Sequence, residues 1–254
     1  MRVDLNCDMG ESFGRWELGA DAGVMPHITS ANIACGAHAG DPATMRRTLR
    51  LAREHGVAAG AHPGFDDLAG FGRREIPMPP DGVADLVIVQ LGALQAMARA
   101  EGMQLAHVKP HGALYNMAAR TPVLADAIAR AVASVDPNLV LFGLAGSPML
   151  AAAERCGLAA AAEGFADRSY EPDGSLTPRS LPGAVIADVE TVVSRAIRMV
   201  REARVTARDG TDIHLRVDTI CVHGDTPGSA VLAGALSAGL RGAGIRVVAP
   251  GRAA

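Results

Sequence analysis

Short apolar runs alternate with longer segments whose apolar residues recur at helical spacing, and the alternation persists along nearly the whole chain. Residues 2–7 read as a first strand, followed by a loop over 8–14 too rich in glycine and charge to be core. A second strand spans 28–35, interrupted by Ser30 and Asn32. A helix starts at Pro42 with Asp41 as its N-cap, carries Met45, Leu49 and Ala52 as its stripe, and ends at Gly56. Residues 57–61 form a third strand running into His62-Pro63, and 81–100 form a long helix with Val87, Leu91, Leu94 and Ala98 on one face. The stretch 105–116 begins as an apolar strand that Pro110 must stop, because proline donates no ladder hydrogen bond.

The rhythm then continues. Thr121-Pro122 starts a helix, 139–144 is a fifth strand, and Ser147-Pro148 caps a helix that Gly157 closes. Residues 158–163 give a weaker sixth strand whose alanine run equally suits a helix end. Asp188 caps a helix striped by Val189, Val192, Val193, Ala196 and Val200. Asp209-Gly210 signals a small hairpin within 205–215. Residues 218–223 return to strand, Thr226-Pro227 starts the last long helix, and 245–248 is a final short strand. Such a series predicts an α/β fold with parallel strands and outer crossover helices. Seven or eight units favour a closed, TIM-like barrel over an open sheet. No linker or charge block divides the chain, so 1–254 reads as a single domain.

Composition narrows this further. A hydrophobic share of 49% supports a large core, but aromatics at 3% mean that Ala, Val, Leu and Ile must build it. The formal charge of −3 argues against nucleic acid or an anionic membrane as partner. Cys7, Cys35, Cys156 and Cys221 form no CxxC pair, and Cys35 and Cys221 sit in apolar runs as small hydrophobes. That usage suits a reducing cytoplasm. The early acidic residues Asp4, Asp8 and Glu11 do not read as a signal peptide, and the longest uncharged run, 139–153, is short of the ~20 residues of a membrane span. A cytoplasmic location is expected.

Polar residues gather where the predicted strands end: Asp4, Asn6, Asp8 and Glu11; Asn32, His38 and Asp41; His62 and Asp67; Lys109, His111 and Asn116; Glu163, Asp167 and Arg168; His223 and Asp225. In parallel barrels the loops after the strands open on one face, so these groups should converge there with acid–base capacity near neutral pH. Asp41 is most simply a cap, Asp4 and Asn6 can line the barrel through internal hydrogen bonds, and His107 suits the core. His38, His62, His111 and His223 follow their strands and fit function better. The turn Gly70-Phe71-Gly72-Arg73-Arg74 suits a phosphate or carboxylate, or else a solvated loop. No Walker A loop, GxGxxG, HExxH or Gly-x-Ser-x-Gly occurs. A metal has no spacing motif; if present, its ligands are expected from Asp8, His38 and His62. The stretches 33–42 and 220–227 echo each other, each delivering Cys, His, Gly-Asp and a proline-started helix.

Asp4-Leu-Asn-Cys-Asp-Met-Gly-Glu11, Asn32-Ile-Ala-Cys-Gly-Ala-His-Ala-Gly-Asp-Pro42, His62-Pro-Gly-Phe, Gly70-Phe-Gly-Arg-Arg74, Val108-Lys-Pro-His-Gly-Ala-Leu-Tyr-Asn116, Glu163-Gly-Phe-Ala-Asp-Arg168 and Cys221-Val-His-Gly-Asp225 together resemble the LamB/YcsF family. Ala37 and Asp66 depart from residues common in that pattern without removing a candidate catalytic group. The resemblance implies a seven-stranded TIM-like barrel and conversion of 5-oxoproline, ATP and water to glutamate, ADP and phosphate. It implies ATP as co-substrate with Mg²⁺, no tightly bound cofactor, and working partners, the 5-oxoprolinase subunits B and C; a homo-oligomer is also open. The expected catalytic set is Asp8, His38, His62, Lys109, His111, Asp167 and His223. Lys109 would meet phosphate, and His111 with Asp8 would move protons. Substrate and phosphate contacts are expected from Asn6, Glu11, Asn32, Arg73, Arg74, Tyr115, Asn116 and Arg168. Two other readings stay open: a metal-dependent deacetylase or amidohydrolase, and a non-catalytic protein that binds the lactam for its partners.

Overall fold

The short apolar runs become strands, those of the barrel mostly buried on both faces, and the longer striped segments become helices laid outside them. A computed structural model describes residues 1–222, 224 and 228–251. Ten strands follow in order: β1 (Arg2–Met9), β2 (Ser30–Ala34), β3 (Ala58–His62), β4 (His107–Val108), β5 (Val140–Leu144), β6 (Ala159–Phe165), β7 (Arg204–Thr206), β8 (Asp212–His214), β9 (Thr219–Val222) and β10 (Arg246–Val247). Strands β1 to β6 and β9 pair in parallel, and β9 returns to β1, aligning Asp4 with Thr219 and Cys7 with Val222. The sheet is therefore a closed seven-stranded barrel, as the alternation predicted. Strand β10 extends the sheet beside the start of β1, and β7 and β8 form the expected hairpin outside the barrel.

The helices are α1 (Asp21–Val24), α2 (Pro42–Glu54), α3 (Pro80–Ala100), α4 (Gly112–Arg120), α5 (Pro122–Val135), α6 (Pro148–Arg155), α7 (Val189–Glu202) and α8 (Ser229–Gly242). Asp41 caps α2 by accepting from the Thr44 N–H at 2.8 Å, and Asp188 does the same for α7 through Thr191. Ser147 precedes α6 but makes no side-chain capping bond, contrary to expectation; Pro148 alone marks that start. Residues 159–165 are strand rather than helix end, because their backbone is committed to β5 on one side and β9 on the other. Helix α3 is long and apolar enough to cross a bilayer, but Val83, Val87, Leu91, Leu94 and Ala98 seal it against the body of the protein. Truncating one of those leucines to Ala should cost about 2–5 kcal/mol. Thr226-Pro227, expected to open the last helix, lies outside the described residues.

Alternation along β1 separates two environments. Val3, Leu5 and Cys7 join the large apolar layer beneath the helices, whereas Asp4 and Asn6 engage polar groups of the neighbouring strands. Asp4 accepts from Thr29, Ser30 and Thr219, and burial raises its pKa to about 6 against the lowering effect of those bonds. His107 stacks on Phe142 at 4.3 Å and its Nε2 meets the Asn32 amide oxygen at 2.8 Å, the core position anticipated for it within a strand. Its ring lies where Gly60 leaves room; a Cβ there would come within 2.2 Å of the imidazole. Burial, then the charge of Lys109, lowers the His107 pKa to about 3.

Candidate active site

Lys109 follows directly on β4, whose two residues bring it to the barrel mouth with the ammonium buried. Its Nζ lies 2.9 Å from Asp8 Oδ1, 2.9 Å from Glu163 Oε1, 3.3 Å from Asn6 Oδ1 and 3.1 Å from Cys221 Sγ. Burial disfavours the ammonium, but Asp8, Cys221 and Glu163 outweigh it and hold its pKa well above the ordinary lysine range. Asn6 donates to Glu163 and Thr219, and Asn32 donates to Asn6 and Asp8. Asn6 and Asn32, expected to touch substrate, instead fix the charged groups from below. Cys221 is buried as predicted, but it sits beside an ammonium rather than among hydrophobes alone.

A second cluster stands next to the first. His62 ends β3, His111 precedes α4, His38 follows β2, and Glu11 follows β1; all four are buried. His62 Nδ1 lies 2.6 Å from the Lys109 carbonyl oxygen, and His111 Nε2 lies 2.9 Å from the Phe71 carbonyl oxygen. A carbonyl only accepts, so each of these nitrogens carries the proton. His62 Nε2 and His111 Nδ1 then face each other at 3.0 Å, and Asp8 Oδ1 is 3.4 Å from the former. The His38 ring stacks on His111 at 3.7 Å. Gly72, at φ +62°, makes the stacking possible: a Cβ would lie 2.7 Å from His38 Cβ and 2.9 Å from His111 Cδ2. Burial lowers the His111 pKa to about 3 and the His38 pKa well below the usual range.

Above both clusters opens a cavity of about 660 Å³, walled by Asp8, His62, Lys109, His111, Tyr115, Asn116, Arg73 and Arg168 among others. Burial, with Glu163 nearby, raises the Tyr115 phenol well above its ordinary range. Arg168 reaches the wall while donating to the carbonyls of Ala184 and Thr177. Asp167, expected to be catalytic, is buried at the 166–167 turn and is not among the residues lining the cavity, whereas Arg168 is. Arg74, expected beside Arg73 as a phosphate ligand, is taken up by Asp67, which also accepts from the Gly70 N–H and holds the turn. His223 and Asp225 lie outside the described residues. Arg120 and Arg179 also line the cavity; nothing local in the sequence distinguishes them from other surface arginines.

The LamB/YcsF family model matches residues 3–254. Among similar proteins are the A component of the 5-oxoprolinase of Brevibacillus brevis, 56% identical over 97% of each chain, and that of Bacillus subtilis, 52% identical over 98% of this chain and 96% of the other. The crystal structure of a lactam utilization protein from Thermus thermophilus superposes with a TM-score of 0.93 at 47% identity, covering 98% of this chain and all of that one.

Proposed function

The chain belongs to the LamB/YcsF family, and from that premise we propose that it is the A component of a 5-oxoprolinase, opening the lactam of 5-oxoproline to glutamate with hydrolysis of ATP. The observation that carries this reading is end-to-end identity above one half with a chain of that name. The charged barrel mouth supports it. A five-membered lactam resists water because of amide resonance. Transfer of the ATP γ-phosphoryl group to the lactam oxygen makes the ring carbon electrophilic. One water then adds, the C–N bond breaks to leave an acyl phosphate, and a second water releases phosphate.

ATP enters with Mg²⁺ as co-substrate. Arg73 and Arg179 at the cavity wall offer cations to its phosphates, while Arg120 there is paired with Glu75 at 2.6 Å. Lys109 is already held by two carboxylates, so its part is to orient Asp8, and the phosphate role expected of it passes to the arginines. Asp8 is the proton-handling group, its Oδ1 3.4 Å from His62 Nε2, and His62 and His111, 3.0 Å apart, form the wall beside it. Tyr115 and Asn116 line the wall where the ring would sit. Subunits B and C complete the enzyme in the cytoplasm. The test is a glutamate-formation assay on the reconstituted enzyme with ATP or each protein component omitted in turn. Loss of product in every omission is expected, together with a large fall in kcat for His111→Ala. Wild-type rates without this chain or without ATP overturn the reading.

A further inference from the structure

The four side chains Glu11, His38, His62 and His111 come from four different strand ends, and one donor atom from each lies within 4.8 Å of the others. Their hydrogen bonding is incomplete in a particular way. With the outward nitrogens of His62 and His111 committed as donors to carbonyl oxygens, the inward nitrogens are two lone pairs 3.0 Å apart when both rings are neutral. His38 is 1% exposed, yet neither of its ring nitrogens has a hydrogen-bond partner among the described residues. A buried polar ring that has given up water costs free energy unless its nitrogens are engaged. Glu11 Oε1 stands 3.7 Å from His38 Nε2 and 3.7 Å from His111 Nδ1.

We propose that Glu11, His38, His62 and His111 bind one divalent first-row transition metal ion, with zinc the ion that best fits the donor set. Three imidazoles and a carboxylate are the borderline ligands such ions take. Asp8, expected among the ligands from its place at a strand end, is engaged by Lys109, and Glu11 with His111 completes the set instead. Ligand bonds of about 2.1 Å in a tetrahedron put neighbouring donors roughly 3.4 Å apart; the spacings of 3.0 and 3.7 Å lie within tenths of an ångström of that, and the wider ones, all within 4.8 Å, close by rotation of the side chains. The carbonyls of Lys109 and Phe71 already hold two rings in the tautomer that turns a lone pair inward, as the outer partners of metal-bound histidines do. A single shared proton would relieve the His62–His111 contact but would leave His38 and the approach of Glu11 unaccounted for. The cation accounts for all four.

This inference goes beyond the lactam reading and is tested without substrate, so either can fail alone. The full chain, stripped with a chelator, is titrated with Zn²⁺ and with Co²⁺. One equivalent per chain and visible Co²⁺ absorption of a four- or five-coordinate site are expected. His38→Gln and Glu11→Gln should each weaken binding on the order of 100-fold, whereas His55→Gln, on the exposed end of α2, should not. Far-UV circular dichroism identifies any variant that fails to fold. Imidazole ¹⁵N spectra of the wild-type chain supply a readout free of mutation: Zn²⁺ should shift nitrogens of His38, His62 and His111. Absence of stoichiometric binding, unmoved ¹⁵N resonances, or full affinity in a folded His38→Gln chain overturns the proposal.

Discussion

Two neighbouring halves of the barrel mouth are built from the same kinds of residue and reach opposite outcomes. On the Lys109 side, ammonium, carboxylates and amides interlock: Lys109 meets Asp8 and Glu163, Asn6 meets Glu163 and Thr219, and Asn32 meets Asn6 and Asp8. On the histidine side, lone pairs face each other and the buried His38 ring makes no hydrogen bond among the described residues. A buried polar network is stable only when its members are satisfied. The first half is held together by its own hydrogen bonds and ion pairs, and the second is the half to which we assign a cation.

The largest effect expected of that contrast comes from Lys109→Met. It strands Asp8 and Glu163 without their counter-charge and should cost about 3–5 kcal/mol in urea unfolding, with loss of lactam opening. In the metal-free chain, His38→Gln should change stability by only about 1 kcal/mol, because it removes no hydrogen bond among the described residues. Equal costs for the two would collapse the distinction. Acid comes next. His107 and His111, with pKa near 3 when folded and near 6.5 when unfolded, take up protons on unfolding, so stability is full above pH 6.5 and is lost as pH falls toward 3. Asp4, raised to about 6, acts with the opposite sign between pH 6 and 3.8, but its shift is smaller. Melting temperature should drop through this window, and His107→Gln should flatten the slope; an unchanged slope would mean the buried rings are not the groups titrating.

A smaller effect is expected at the rim. Arg73→Ala should raise the KM for ATP roughly tenfold, worth ~1.4 kcal/mol, with kcat little changed. The smallest belongs to Arg74→Ala, which leaves KM at its wild-type value and lowers melting temperature slightly by freeing the 67–74 turn. A KM change in Arg74→Ala equal to that of Arg73→Ala would show that the ion pair with Asp67 opens when ATP binds.

Much of the barrel was legible because strands buried on both faces must be short apolar runs, and because proline and aspartate mark helix starts in chemical terms. Helix α4 was not, since Lys109-Pro110-His111-Gly112 reads as a loop and the helix begins inside it. The strand-end rule located Asp8, His62, Lys109 and His111 together. The glycine-rich turn reads as two free guanidinium groups, but Arg74 is paired with Asp67 across it, a partner that residue order alone does not reveal. The strand-end rule was also silent on proton placement, because the carbonyls of Lys109 and Phe71 that fix the two histidine tautomers leave no mark in side-chain identity.

Strand β1 pairs with β2 on one side and with β9 on the other, so residues near position 5 meet partners near position 220. On a ribosome, the first strand made must wait for almost the last before its second edge is covered. Asp4 and Asn6 stay without Thr219 throughout that interval. Closure of the barrel thus waits on the late strand, and a translation product truncated before Thr219 should lack the β1–β9 ladder.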